Sequence, residues 1–451
     1  MEKLAIDQVK LSTQEANCLV SKYGTPVFVF DKDLFVNRLD KLKESFQKEF
    51  TSHGLDCSFF YAGKAFLSKE VAKIAAKYGY GIDTCSLVEQ LTALEGGVAG
   101  PLLGLHGNNK SDEEIELAIK QQFARIVIDS EEEILRIVNI SQKIANQAKV
   151  KVMLRITTGI HAGGHEFIST AHEDQKFGVP ITGNVALNLL KQILLHPELE
   201  LTGIHTHIGS QISAPEAFIE SARAMMKLRE DLYKDTNYNL QEIDLGGGFG
   251  IQYTEDDELL DIENLAKDLA EALLGYVKNS KNINLSAPKF SFEPGRWVMG
   301  PSQSTLYTVG TIKDVKLSEP VEYQGQIYSS RRYVSVDGGM SDNIRPALYG
   351  AKYSVVLFQN ESKDSDEQIL CRIVGKHCES GDILISECLL PNNLHTGDIL
   401  DIPVTGAYGY SMSSNYNMLL KPAVVEIYKN QENNRCSKIL IPRQIPKQLI
   451  F

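Results

Sequence analysis

Phe59-Phe60-Tyr61-Ala62-Gly63-Lys64-Ala65 reads as a buried strand that stops at a charge. Residues 57–62 are apolar and aromatic, the composition of a strand interior. Gly63 breaks the run, and Lys64 is the first charge beyond it. A lysine at that place is expected to have little water around it, and desolvation lowers a lysine pKa. An amine of this kind forms Schiff bases with carbonyls, pyridoxal phosphate among them. The plain alternative is a lysine that snorkels to a rim.

Outward from this strand the same unit repeats. Strands are predicted at 57–62, 81–84, 102–105, 125–128, 150–156, 201–207, 242–245 and 289–292, alternating with helices. One of those helices opens on a capping box, Ser111-Asp112-Glu113-Glu114. This rhythm predicts an α/β chain built on a parallel (β/α)8 barrel. A doubly wound open sheet would usually carry Gly-x-Gly-x-x-Gly after an early strand. Here the glycine cluster, Gly246-Gly247-Gly248-Phe249-Gly250-Ile251, comes late and has Ile251 where the third glycine would stand. From about Leu306 the long helices cease and short strands follow one another, which predicts a mainly antiparallel β domain. The expected division is an N-terminal segment 1–34, a barrel 35–305 and a β domain 306–451.

Bulk properties agree with two soluble domains. The chain has 451 residues, 43% apolar and 23% charged. A formal charge of -12 argues against a nucleic-acid partner, which needs a basic face. No run of 18 apolar residues suggests a membrane span, and the first twenty residues lack the apolar core of a secretion signal. Seven irregularly spaced cysteines, with no Cys-x-x-Cys, fit a reducing compartment, so a cytoplasmic protein is expected.

A barrel of this type carries its function at the C-terminal ends of its strands. Those ends read Lys64, Asp83, His106, Asp129, Arg155, His207, the glycines 246–248 and Glu293. Polar strand ends are partly a consequence of leaving a core, but eight at one rim point to a site. The loops after strands seven and eight commonly hold phosphate in this fold. Glycines there let backbone N–H groups approach an anion. Glu293 adds a carboxylate, which beside a pyridine nitrogen keeps it protonated. His205 and His207 share one face of strand six. They suit either a His-x-His metal site completed by Asp83, Asp129 or Glu293, or one ring over a cofactor and one inside the barrel. In the β domain, Arg345 suits a substrate carboxylate through its planar fork, Glu379 suits an ammonium, and Cys378 can donate a proton. Each of these taken singly is also consistent with an ordinary surface loop.

The motifs taken in order resemble the diaminopimelate decarboxylases, in the fold-type III group of pyridoxal-phosphate enzymes. The resemblance runs from about Val27 to Tyr428. It rests on Tyr61-Ala-Gly-Lys-Ala-Phe66, His106-Gly-Asn-Asn-Lys-Ser111, Glu173-Asp-Gln-Lys-Phe-Gly178, and the stretches 207–212 and 246–250. Glu293-Pro-Gly-Arg296, Arg345-Pro-Ala-Leu-Tyr349, Cys378-Glu-Ser-Gly-Asp382 and Gly406-Ala-Tyr408 complete it. The resemblance implies decarboxylation of meso-2,6-diaminopimelate to L-lysine and CO2 with pyridoxal 5'-phosphate, and no metal. It implies that Lys64 holds the cofactor, His207 stacks on its ring and Glu293 contacts its nitrogen. Gly248, the backbone of Glu293, Pro294, Gly295 and Arg296, and Tyr408 would hold the phosphate, with Asp83, Ser210 and Gly247 completing the cofactor set. Arg296, Arg345, Tyr349, Glu379 and Tyr408 would bind the amino-acid substrate, and Cys378 would be the proton donor. A homodimer with shared active sites is also implied, the Cys378–Glu379 pair crossing to the other chain. Leu87-Val88 stands where many members have Gly-Gly, and His161-Ala-Gly-Gly-His165 is richer in glycine than the usual form. Three other readings stay open on sequence: a decarboxylase of ornithine, lysine, arginine or carboxynorspermidine, a metal-dependent hydrolase, and a non-catalytic homologue.

Overall fold

The computed structural model describes residues 7–145, 148–160, 175–279, 285–359 and 367–450. Residues 161–165 and 173–174, named above, lie outside them. The chain divides into two compact units. One holds Val36–Ile251 and Glu258–Trp297; the other holds Met1–Phe35, Gln252–Asp257 and Val298–Phe451.

Strand β1 (Val27–Asp31) belongs to the second unit. The first unit is the barrel. Its strands are β2 (Asp56–Ala62), β3 (Gly81–Thr84), β4 (Leu103–Leu105), β5 (Arg125–Ile128), β6 (Val150–Thr157), the two-residue β7 (Val179–Pro180), β8 (Leu199–Thr206), β9 (Glu242–Asp244) and β10 (Lys289–Phe292). Every pairing is parallel. The order β5-β4-β3-β2-β10-β9-β8-β6 closes through β5 on β6, with Ile126 beside Val152, and β7 extends the end of β6. The eight-stranded parallel barrel expected from the sequence is therefore present. Serines set several helix starts: Ser68, Ser86 and Ser111 each accept a hydrogen bond from the backbone N–H three residues on. The capping box at Ser111 and Glu114 is complete. Leu87-Val88 begins a regular helix under the Ser86 cap, with Val88 exposed.

Alternation along the strands sorts their side chains. Phe59 and Phe292 pack outward with Phe46, whose ring lies 4.6 Å from Phe292. The intervening Phe60 instead stacks under the guanidinium of Arg125, 3.6 Å from its ring centre. Asp83, Asp244, Ser291 and Glu293 all meet that same guanidinium. Barrels of this fold usually fill their interior with branched apolar residues; this one threads an arginine through it. Small residues make the room. A Cβ on Gly104 would stand 2.5 Å from Asp83 Oδ1, and one on Gly81 2.4 Å from the Phe60 ring.

The second unit is a mixed, mainly antiparallel sheet. To β1 it adds β11 (Gln303–Tyr323), β12 (Gln326–Val336), β13 (Val356–Phe358), β14 (Gln368–Val374), β15 (Ile383–Pro391), β16 (Ile399–Ile402), β17 (Ala423–Lys429) and β18 (Arg435–Ile441). Two pairings, β1 with β17 and β12 with β14, are parallel; the others are antiparallel. Val27, Val29, Leu306, Val425 and Ile427 join the helix Thr13–Tyr23 in one apolar core. No described helix is long and apolar enough to cross a membrane.

Candidate active site

Six of the predicted barrel residues surround one buried ionic cluster or its edge. Glu293 is its centre. Its Oε1 lies 3.3 Å from His106 Nε2 and 3.4 Å from Arg125 Nη2, and its Oε2 lies 3.2 Å from His205 Nε2. Asp83 Oδ1 sits 3.1 Å from the same His106 nitrogen and 3.4 Å from Arg125. Arg125 also pairs with Asp244 Oδ2 at 2.7 Å and with Glu242 at 3.3 Å. Burial pushes the Glu293 carboxyl up, and the neighbouring Asp83 charge adds to the rise; His106, Arg125 and Lys64 oppose it. Burial pushes Asp83 up as well, against the pull of Arg125 and Lys64.

The histidines are neutral for the same reason. Burial drives His106 down to about 3, and drives His205 and His207 well below the usual histidine range. For His207 the positive charge of Lys64 is the next cause. Gly247 N–H donates to His207 Nδ1 at 3.3 Å, which places the ring proton of the neutral form on Nε2. His205 lies inside the barrel at the end of β8, whereas His207 follows the strand and is half-buried. The ligand atoms of His106, His205 and Glu293 lie within 4.8 Å of one another. The Glu293 oxygen that faces His106 already faces the Arg125 cation.

Lys64 departs from expectation in one respect. Strand β2 ends at Ala62, and Gly63–Ala65 turns as a short 3-10 helix that carries Lys64 out of the buried run. Its side chain is exposed rather than desolvated. Its charge still acts on Asp83, Glu89, Glu293 and His207.

The glycine loop is fixed by close approach. Gly246 and Gly248 have φ of 66° and 106°, where other side chains are strained. A Cβ on Gly247 would lie 2.2 Å from the carbonyl oxygen of Glu293. Gly246 in turn accepts from the Glu293 N–H at 2.8 Å, so this loop and the 293–296 loop are tied together. Pro294 accepts from Ala62 N–H at 3.1 Å, and Gly295 abuts Ala62 and Ala65, which joins the second loop to the lysine turn. Arg296 Nη2 donates to Ser210 Oγ at 2.9 Å.

The β unit gathers its own set. The loops that carry Ser341 and Asn417 meet at His377, whose Nε2 lies 2.9 Å from Ser341 Oγ and whose Nδ1 lies 3.1 Å from Asn417 Oδ1. Asn417 Oδ1 also accepts from the Cys378 N–H at 3.3 Å. Asp382 accepts from the backbone of Met340 and of His377, pinning the 378–382 loop from below. Cys378 and Glu379 are exposed, and Glu379 Oε1 accepts from Gly381 N–H at 3.2 Å. Arg345 is buried at the start of the short helix Arg345–Tyr349, while Tyr349 is exposed. Tyr408 is half-buried with φ of 62° and acts electrostatically on Arg345.

Sequence reasoning missed Arg125 and His377. Arg125 is the first residue of the predicted strand 125–128, and its signal is a full positive charge opening an otherwise apolar run whose neighbouring strands carry glycine. His377 sits in a polar loop with no local signal, since its partners are 36 and 40 residues away.

The donor set fits pyridoxal phosphate: a primary amine on Lys64 for the aldehyde, a buried carboxylate on Glu293 for the ring nitrogen, a neutral imidazole on His207, and a glycine loop beside the Ser210–Arg296 pair for the phosphate. Comparison with known proteins agrees. Residues 36–300 match the family described as pyridoxal-dependent decarboxylase, pyridoxal binding domain. Diaminopimelate decarboxylase of Corynebacterium efficiens is 40% identical over 410 residues, covering 91% of this chain and 84% of that protein. The Staphylococcus aureus enzyme is 37% identical over 449 residues, covering 100% and 97%. The crystal structure of the diaminopimelate decarboxylase of M. jannaschi superposes with a TM-score of 0.84 at 26% identity, covering 98% of this chain and 96% of that one. That of Helicobacter pylori, complexed with L-lysine, gives 0.79 at 27%, covering 96% and 98%. With the family match over residues 36–300 and relatives 40% and 37% identical over most of their length in agreement, the chain belongs to the diaminopimelate decarboxylase family of pyridoxal-phosphate-dependent carboxy-lyases.

Proposed function

We propose residue roles for the decarboxylation of meso-2,6-diaminopimelate to L-lysine and CO2, the reaction of this chain. Residues 35–305 would form the cofactor-binding barrel, and residues 306–451 the β domain that the N-terminal segment 1–34 joins. Lys64 would hold the cofactor's aldehyde carbon and release it to the incoming amino group. His207, neutral and bonded through Nδ1 to Gly247, would present an uncharged ring face. Glu293 would sit at the ring nitrogen, with Asp83 in the ionic cluster behind it. Ser210, Gly247, Gly248, the backbone of Pro294, Gly295 and Arg296, and Tyr408 would bind the phosphate. Bound pyridoxal phosphate supplies the electron sink for the pair left behind when CO2 departs.

Arg296 and Arg345 would take the distal carboxylate, Glu379 the distal ammonium, and Tyr349 and Tyr408 would line the substrate. Cys378 Sγ would return a proton to the α-carbon. The exposure of Cys378 and Glu379 supports their acting in a second copy of the chain, as a homodimer with shared sites. All seven cysteines are free thiols, which suits the cytoplasm.

One observation carries the choice of substrate. Arg345 is a buried guanidinium, and among the described residues its side chain is answered by tyrosines rather than by a carboxylate. A substrate without a second carboxylate would leave that charge unpaired. The test is product analysis: the cofactor-loaded protein is incubated with meso-diaminopimelate, ornithine, lysine and arginine in turn, and CO2 and the product amine are measured. Lysine and CO2 from diaminopimelate alone are expected. CO2 from one of the other substrates in its place would overturn the reading.

A further inference from the structure

Arg345 is only 7% exposed, and its charge lies in an aromatic setting. Its guanidinium carbon stands 4.4 Å from the ring centre of Tyr253 and 5.5 Å from that of Tyr353. Its Nη1 donates a short hydrogen bond to the Tyr353 hydroxyl. The two rings meet edge to face, 5.2 Å apart and at 80°, so each fixes the other. Both tyrosines are themselves only 4% exposed. Tyr253 is carried on a turn closed by Asp257, whose Oδ2 accepts from the N–H groups of Tyr253 and Thr254 at 2.9 and 2.8 Å. The backbone N–H of Arg345 adds a contact to Asn343 Oδ1.

Burying a charge is costly unless it is paired. Here the partners in the described structure are neutral, so the guanidinium keeps its full charge for an incoming anion. A planar cation on an aromatic face is held by that face without using its N–H edge. Among the described residues one N–H is committed to Tyr353, and the others keep the fork geometry that suits a carboxylate.

We propose that Tyr253 and Tyr353 are positioning residues that preorganise Arg345 as the receptor for the substrate's distal carboxylate. This rests on the reading of Arg345 given under Proposed function. In that reading they are specificity determinants: they act through Arg345 on the end of the substrate that does not react.

The test uses the cofactor-loaded enzyme and two inhibitors, L-lysine, which keeps the distal carboxylate, and 1,5-diaminopentane, which lacks it. Tyr353→Phe removes one oxygen, and Tyr253→Leu removes one aromatic face. Each is expected to raise KM for diaminopimelate and the lysine inhibition constant about tenfold, with a smaller effect on kcat. Inhibition by 1,5-diaminopentane is expected to stay within about twofold, and Tyr253→Phe, which keeps the face, is expected to restore lysine binding. A general loosening of the fold would weaken both inhibitors together, and that result overturns the proposal. Arg345→Lys separates the two levels. If it weakens lysine while the tyrosine variants do not, the positioning role is wrong and the carboxylate assignment stands. If Arg345→Lys itself leaves lysine and KM unchanged, the assignment falls and the proposal with it. Should Tyr253→Leu not fold, the single-oxygen change at Tyr353 decides the matter alone.

Discussion

Nη2 of Arg125 lies 3.4 Å from Oε1 of Glu293, although the arginine opens strand β5 and the glutamate follows strand β10. The guanidinium crosses the barrel interior and answers Asp83, Asp244 and Glu242 as well. Arg125→Met would leave several buried carboxylates without their cation. Removing one partner of a buried pair costs about 3–5 kcal/mol, because the other charge remains. The variant is expected to lose that much in urea denaturation and to bind pyridoxal phosphate more weakly in a fluorescence titration. Arg125→Lys keeps the charge but not the fork, and should fall between. Unchanged cofactor affinity in a folded Arg125→Met protein would show that the cluster does not serve Glu293.

Acid sensitivity follows from the histidines that face this cluster. His106 has a folded pKa of about 3 against an ordinary 6.5. Between those values the unfolded chain binds the extra proton and the folded chain does not. The stabilisation is therefore complete above about pH 6.5 and is lost as pH falls toward 3. His106→Gln cannot titrate, so its thermal midpoint should decline less steeply than that of the parent over this window. Parallel curves would mean that His106 takes a proton in the folded state without penalty.

Asp401 predicts the opposite sign. It lies on β16 between Leu306 and Val356, fully enclosed, and burial lifts its carboxyl to about 7. The folded state then holds a proton that the unfolded chain releases from about pH 4 upward. Stability from this group is complete below that and is lost as pH rises through 7. Asparagine mimics the protonated form. Asp401→Asn should match the parent near pH 4, gain on it up to about pH 7, and hold a constant advantage above. Thermal midpoints at pH 4, 5.5, 7 and 8.5 check this, and an advantage that does not grow with pH would refute it.

Much of this architecture is legible in the sequence because it rests on local pattern. Residues 57–62, 125–128 and 289–292 are short apolar runs between polar punctuation, and the observed strands begin and end within a residue of those limits. The Ser111–Glu114 capping box is local too. What escaped depends on register. Gly81 and Gly104 leave space for Phe60, Asp83 and Arg125 only once the strands are laid side by side. The exposure of Lys64 escaped because composition marks where a strand ends but not how the next three residues turn. The links from His377 to Ser341 and Asn417 join loops that share no periodicity.

Two glycines separate backbone permission from packing demand. Gly275 lies in the helix Ile262–Asn279, and a Cβ there meets nothing within 4 Å. Alanine in a helix interior is better than glycine by about 0.5–1 kcal/mol, so Gly275→Ala should stabilise the protein by that amount. Gly247 is the reverse case. Its Cβ would stand 2.2 Å from the Glu293 carbonyl oxygen, and backbone cannot swing aside as a side chain does. Gly247→Ala must push the glycine loop off the 293–296 loop, and it also disturbs the N–H that Gly247 donates to His207. It is expected to lower the denaturation midpoint and to weaken cofactor binding at least tenfold, roughly 1.4 kcal/mol. Titrating pyridoxal phosphate into both variants by absorbance distinguishes the sites. Equal affinities for the two proteins would show that the spacing between these loops does not govern the cofactor.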